Sequence, residues 1–288
     1  DLNARADLLE TLLEKGKIMG SLMFTVITLC QLAEVRMGQG QLVQARDLYQ
    51  KALETSIAPD ESLLPVAGQA KIGLGHILRE WNQLDQAIRY SEQGIELVGK
   101  WQPMAALDGY FNLAWSYKAL GDAEKAHAAI LKAQQMTQAY DVTEIDDRIV
   151  AFVHARLDLW RGDLQAIQRY LDEMQTVIPP GEEIQPEFLS QGMRESLDYR
   201  MRKYEQIALA RALIVQQQPA EALALLDPLV PNMRKQGRIM MLIEIQILRA
   251  EALHLQGDTE EAQRTFEEAL RLAEPGGFMR TFMDEGSS

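Results

Sequence analysis

The chain has 288 residues, 47% hydrophobic and 25% charged, a balance that excludes a disordered polymer. No apolar run reaches the ~18 to 20 residues of a membrane span, and a net charge of −13, from 42 acidic against 29 basic residues, opposes non-specific contact with nucleic acid. A single cysteine, Cys30, excludes a disulfide framework and points to the reducing cytoplasm.

In chain order, Leu2 to Lys15 sets Leu8, Leu9, Leu12 and Leu13 on one helical face, as expected of the second helix of a truncated hairpin. Asp1 is preceded by no initiator Met, signal peptide or anchor, so the chain reads as a piece of something longer. Helix pairs are predicted at residues 22–38 with 41–56, 62–81 with 84–99, and 103–120 with 123–138. Further pairs follow at 143–161 with 164–177, 187–216 with 219–232, and 235–256 with 259–273. The stretch Leu22 to Leu32 is interrupted by threonines and followed by Glu34, so it reads as a buried helix. Pro179, Pro180 and Gly181 break the pattern and predict a surface loop, or a lid over the groove, before a longer helix. Pro275, Gly276 and Gly277 stop the last helix, and 278–286 is expected to lack a partner helix. No period-two alternation supports a strand, so the fold is all-α.

The helix pairs form one array. Their turn residues are Gly40, Asn82, Gly121, Gly162, Gln217 and Gly257. Seven places before each stands a small residue: Ala33, Gly75, Ala114, Ala155, Ala210 and Ala250. Five places after come Ala45, Ala87, Ala126, Ile167, Ala222 and Ala262, so two nearly small columns face each other and allow close helix approach. Nine places after, Tyr49, Ile130, Leu171, Leu226 and Phe266 are large, with Ser91 as the exception; these should fill the space between hairpins. Asp122, Asp163 and Asp258 each follow a turn glycine and are placed to cap the next helix. The reading is a single α-solenoid domain over 1–288, about six hairpins plus a partial N-terminal unit, cut from a larger protein.

Facing small columns, a Gly-Asp turn and a large residue nine places on resemble the tetratricopeptide repeat, whose fold is a right-handed superhelical solenoid. HEAT and armadillo repeats share the period but explain the Gly-Asp spacing less well, and stand as the alternative. The stretches Tyr204 to Leu213, Pro219 to Leu226 and Gly257 to Ala262, closed by Ala269 to Gly286, look like the sensor region of the MalT-like, LuxR-type bacterial transcription activators. That resemblance implies a regulatory module, controlled by a small-molecule inducer or a regulatory protein, with possible self-association. It also implies ATP in a preceding P-loop domain and DNA contact through a following helix-turn-helix. Neither motif occurs here, so no cofactor and no direct nucleic-acid contact is assigned to this chain. A generic tetratricopeptide scaffold for a partner peptide is the alternative function.

Enzymatic constellations are poor. Four histidines and one cysteine offer no HExxH or CxxC; His154 and Asp158 share a helix face, but no third metal ligand is evident nearby in sequence. Paired acids such as Asp146 with Asp147 do not face each other on a helix, so no catalytic residue and no enzyme activity is expected. The groove is the better place to look, because tetratricopeptide first helices line its concave side. Positions six, three and ten before the turns give His76, Trp115, Arg156, Arg211, Arg79, Lys118, His254, Phe111 and Phe152, and Tyr204 lies further up the same helix as Arg211. Cationic groups among rings suit an anionic or polyhydroxylated ligand, or an acidic peptide. The alternative is that the charges pair with glutamates of adjacent helices and the rings are core between repeats.

Overall fold

The computed structural model describes residues 1–58, 61–99, 102–139, 144–177 and 191–285. Six helical hairpins follow one another: α2 (Leu22–Gly38) with α3 (Leu42–Thr55), α4 (Ala67–Glu80) with α5 (Leu84–Gly99), and α6 (Leu107–Ala119) with α7 (Ala123–Ala139). They continue as α8 (Glu144–Trp160) with α9 (Ala166–Val177), α10 (Gln191–Val215) with α11 (Pro219–Leu226), and α13 (Ile239–Leu255) with α14 (Thr259–Ala273). A helix α1 (Leu2–Met19) precedes them, α12 (Leu229–Lys235) lies between the fifth and sixth, and α15 (Arg280–Glu285) closes the chain. The array is an all-α, tetratricopeptide-like solenoid. The expected loop at 179–183 lies outside the described residues.

The six turn residues share one backbone device. Gly40, Gly121, Gly162 and Gly257 all have positive φ, and so do Asn82 (59°) and Gln217 (60°). At each, the turn amide bonds the carbonyl three residues back and the next amide bonds the carbonyl five back, as in Gly121 to Lys118 (2.9 Å) and Asp122 to Tyr117 (2.9 Å). This Schellman ending satisfies orphan carbonyls and demands a left-handed residue, which explains why glycine dominates the column. The three aspartates then cap: Asp122 accepts from the Lys125 amide, Asp163 from Gln165 and Asp258 from Glu261.

Both small columns are buried throughout, from Ala33 to Ala250 and from Ala45 to Ala262. Gly75 shows why. A Cβ there would lie 3.1 Å from the Ala87 carbonyl and 2.6 Å from Ser91 Oγ, so the break in the large column at Ser91 is matched by a glycine opposite. Tyr49 takes the expected place between hairpins, its ring seated on Gly73 of α4.

Several boundaries differ from expectation, among them the starts of α6 at Leu107, not 103, and of α13 at Ile239, not 235. Helix α4 starts at Ala67, not 62, because Pro65 has no amide to donate and Ile57 pairs with Leu63 in an isolated bridge. The predicted helix 219–232 is split into α11 and α12 at Asp227 and Pro228 for the same reason. The segment expected to lack a partner helix has one over its described residues: α15 packs on α4 and α13, and Phe266 meets Phe282 edge-on at 5.8 Å.

The last difference changes the architecture. The solenoid closes on itself, with the last hairpin against the first ones. Ile243, Ile247, Ala269, Ala273 and Phe278 share one core with Val26, Leu29, Tyr49, Ala70 and Leu74. The Leu2 amide bonds the Gln236 carbonyl at 3.0 Å, and the Trp81 indole donates to the Gly276 carbonyl at 2.9 Å.

Candidate functional site

Closure brings the first helices of hairpins two to six together as an inner layer. On α4, Arg79 meets Asp284 of α15 at 3.2 Å, and Lys118 on α6 meets the same carboxylate at 3.9 Å. Lys118 also lies over the Trp115 ring, 5.5 Å from its centroid, and Arg156 of α8 lies over the same ring at 4.7 Å. Arg156 and Arg211 of α10 then converge on Glu244 of α13, at 3.6 and 2.9 Å. One continuous polar circuit thus runs Arg79, Asp284, Lys118, Trp115, Arg156, Glu244 and Arg211. Glu80 is a second acid at Arg79, at 3.4 Å.

The electrostatics follow from burial. For Glu244, burial by itself raises the carboxyl, but the charges of Arg211, Arg156 and Arg79 and the hydrogen bond from Arg211 together hold it below the usual range. His76 is held neutral by burial and by Arg79, its pKa lowered to about 3, and its Nε2 is buried without a partner among the described residues. Glu80 is fully buried and accepts the Thr281 amide at 2.8 Å, so a carboxylate of α4 caps the start of α15. Arg280, also buried, bonds Asp284 and reaches Asn82 Oδ1 at 3.4 Å.

Of the expected site residues, Arg79, Trp115, Lys118, Arg156 and Arg211 are brought together in this circuit. His76 sits beside Arg79. Phe152 is instead buried in the core between repeats, tilted against Tyr170 at 5.7 Å and touched by Arg156 only at its ring face. Phe111 and Tyr204 are half-buried against core clusters, and His254 is exposed near the end of α13. The position ten before the turn therefore faces the core, since Cys30, Ile72, Phe152, Ile207 and Ile247 are all buried. Burial also pushes the Cys30 thiol up, with Glu34 adding to it, which leaves no reactive thiolate.

The acids were missed: Glu80, Glu244 and Asp284. Glu244 was within reach, because it stands thirteen places before Gly257 as Tyr204 does before Gln217, two turns up the face that carries Arg156 and Arg211. Asp284 was not, because its place depends on ring closure.

The HTH-type transcriptional regulator MalT of Serratia proteamaculans (strain 568) is 25% identical over 268 residues, which cover 92% of this chain and 27% of that protein. The chain therefore spans about a quarter of the curated relative it matches. The crystal structure of BtubC (BKLC) from P. vanneervenii superposes over 99% of this chain and 92% of its own, at 16% identity and a TM-score of 0.47. The model of the MalT-like TPR region matches residues 1–288. With that match spanning every residue, the chain belongs to the MalT-like TPR region family.

Proposed function

We propose that this chain is the sensor module of a larger transcription activator, and that its inner layer binds an anionic inducer or an acidic segment of a regulatory protein. The observation that carries the reading is that Arg79 and Lys118 meet on Asp284 of α15, Arg156 and Arg211 meet on Glu244, and Trp115 lies between Lys118 and Arg156. A carboxylate or phosphate entering the layer competes with Asp284 for Arg79 and Lys118, so binding trades against the docking of α15. That exchange gives a physical route from ligand to whatever follows α15, through which self-association and DNA binding by other domains are controlled. The match to a regulator of the HTH type supports this setting. Nucleotide and DNA are handled, in this reading, by domains beyond the chain.

The test is a thermal-shift screen with sugars, phosphorylated metabolites and small acids, followed by the Arg79→Gln, Lys118→Gln double variant. A ligand at 100 times its Kd raises apparent stability by about 2.7 kcal/mol, and the double variant is expected to abolish that gain. A ligand response of the same size in the double variant rules the inner layer out as the site. Stabilisation by acidic peptides alone, and by no small molecule, favours the scaffold alternative.

A further inference from the structure

Away from the inner layer, the interface between the third and fourth hairpins joins three side chains that sequence spacing separates. His154 and Asp158 stand one turn apart on α8, with Nε2 and Oδ2 at 4.0 Å. His127 comes from α7, its ring 5.0 Å from that of His154 and tilted by 52°. One ligand atom from each residue falls within a set whose members are all within 4.8 Å of one another. The third ligand that the sequence did not offer is supplied by packing, 27 residues before His154.

We propose that His127, His154 and Asp158 form a binding site for a divalent transition-metal ion of the zinc class. Two imidazoles and one carboxylate are a donor set that zinc, cobalt and nickel accept. Ligand atoms around a tetrahedral ion with bonds of about 2.0–2.1 Å lie ~3.3 Å apart, so each must move inward by an ångström or so. Side-chain rotation at half-exposed positions supplies that. A second observation points the same way: the Nδ1 of His127 is buried and has no hydrogen-bond partner among the described residues. A buried imidazole nitrogen left in that state requires an explanation, and coordination of the ring fixes its tautomer and orientation. The guanidinium of Arg169 is hydrogen-bonded to both oxygens of Asp163 and interacts with Asp158 through its charge.

The three protein ligands leave a fourth position open. His154 and Asp158 also line a pocket of about 580 Å³ formed by α7, α8 and α9, with Arg148, Arg169, Tyr170 and Glu173 on its walls. A water or a small anion entering from that pocket would complete the coordination. Because one ligand belongs to α7 and two to α8, the ion also clamps consecutive hairpins and stiffens the array where it is bound.

The experiment is calorimetric titration of the chelator-treated chain with Zn²⁺ and with Co²⁺, the latter also followed by its visible absorption. Saturable one-to-one binding is expected, with a cobalt spectrum of a low-coordinate nitrogen and oxygen site. His127→Gln and His154→Gln are each expected to weaken binding by at least tenfold, with the helical circular-dichroism signal unchanged. Asp158→Asn is expected to weaken it and to change the cobalt spectrum. Absence of saturable binding up to about 1 mM metal overturns the proposal, as does unchanged affinity in both histidine variants.

Discussion

Replacing Glu205 by alanine is the sharpest test of how the fourth and fifth hairpins are joined. Glu205 of α10 accepts two parallel hydrogen bonds from Arg148 of α8, at 2.8 and 2.7 Å, and a third from the Tyr170 hydroxyl of α9 at 2.6 Å. The two charged side chains are only 9% and 8% exposed, so solvent screens them little. The pairing favours the charged Arg148 against its burial, and burial together with Glu205 holds the Tyr170 hydroxyl protonated. Glu205→Ala takes from the buried Arg148 guanidinium two hydrogen bonds and the facing negative charge, a loss of roughly 3–5 kcal/mol. At about 2 °C per kcal/mol for a chain of this size, the thermal midpoint falls by on the order of 10 °C. Removing both charges is a different perturbation, since the desolvation cost disappears with them. Arg148→Met with Glu205→Leu is therefore expected to lie within about 1 kcal/mol of the parent. Urea unfolding followed by circular dichroism measures both. A double variant as unstable as Glu205→Ala, or a single variant that loses less than about 1 kcal/mol, refutes the reasoning.

Two further outcomes follow from the backbone and from burial. Gln217 holds φ at 60°, a conformation that costs a side-chain-bearing residue about 1 kcal/mol, so Gln217→Gly is expected to stabilise the fifth hairpin by roughly 0.5 kcal/mol after the extra chain entropy of glycine is counted; an unchanged or lower urea midpoint counts against it. His76 carries a pKa lowered to about 3, so the unfolded chain takes up its proton first as the pH falls. Its contribution is constant above pH 6.5 and is lost towards pH 3, by about 2 kcal/mol on going from 6.5 to 5. The comparison is with His76→Gln at the same pH values, and an identical pH slope in the two proteins sinks the assignment.

Most of the hairpin architecture was legible because it is written in local terms. A left-handed turn residue, a cap one place on and a small residue seven places back are each properties of a few neighbours in sequence; the first and last recur six times and the cap three times. The breaks were legible in principle as well. Pro65 and Pro228 remove amides that the continuous helices 62–81 and 219–232 would need, and a stricter reading of those prolines would have shortened the first and split the second. The inner layer was half legible. Helical periodicity placed Arg79, Lys118, Arg156 and Arg211 on one side of their helices, but it could not say whether positions ten before the turn face a groove or a neighbour. Packing decided that, because the next hairpin lies over Phe152 and Ile207 and buries them.

Ring closure was not legible, and the reason is physical. The path of a solenoid is the sum of small rotations between successive hairpins, so an error too small to see at one interface accumulates over five. Whether the last hairpin meets the first is decided by that sum and not by any residue in it. Once they meet, contacts of very long sequence separation become possible: Trp81 to Gly276, Glu80 to Thr281 and Arg79 to Asp284. These contacts alter what the inner charges can do. In an open groove, Arg79 and Lys118 would be solvated and weakly attractive to an anion. In the closed ring they are about one-eighth exposed and already share Asp284. An anion of the proposed kind would have to bind better than a tethered carboxylate, which favours multiply charged or bidentate anions over single ones. In the proposed reading, the same tether makes α15 the element whose position records whether such a ligand is present.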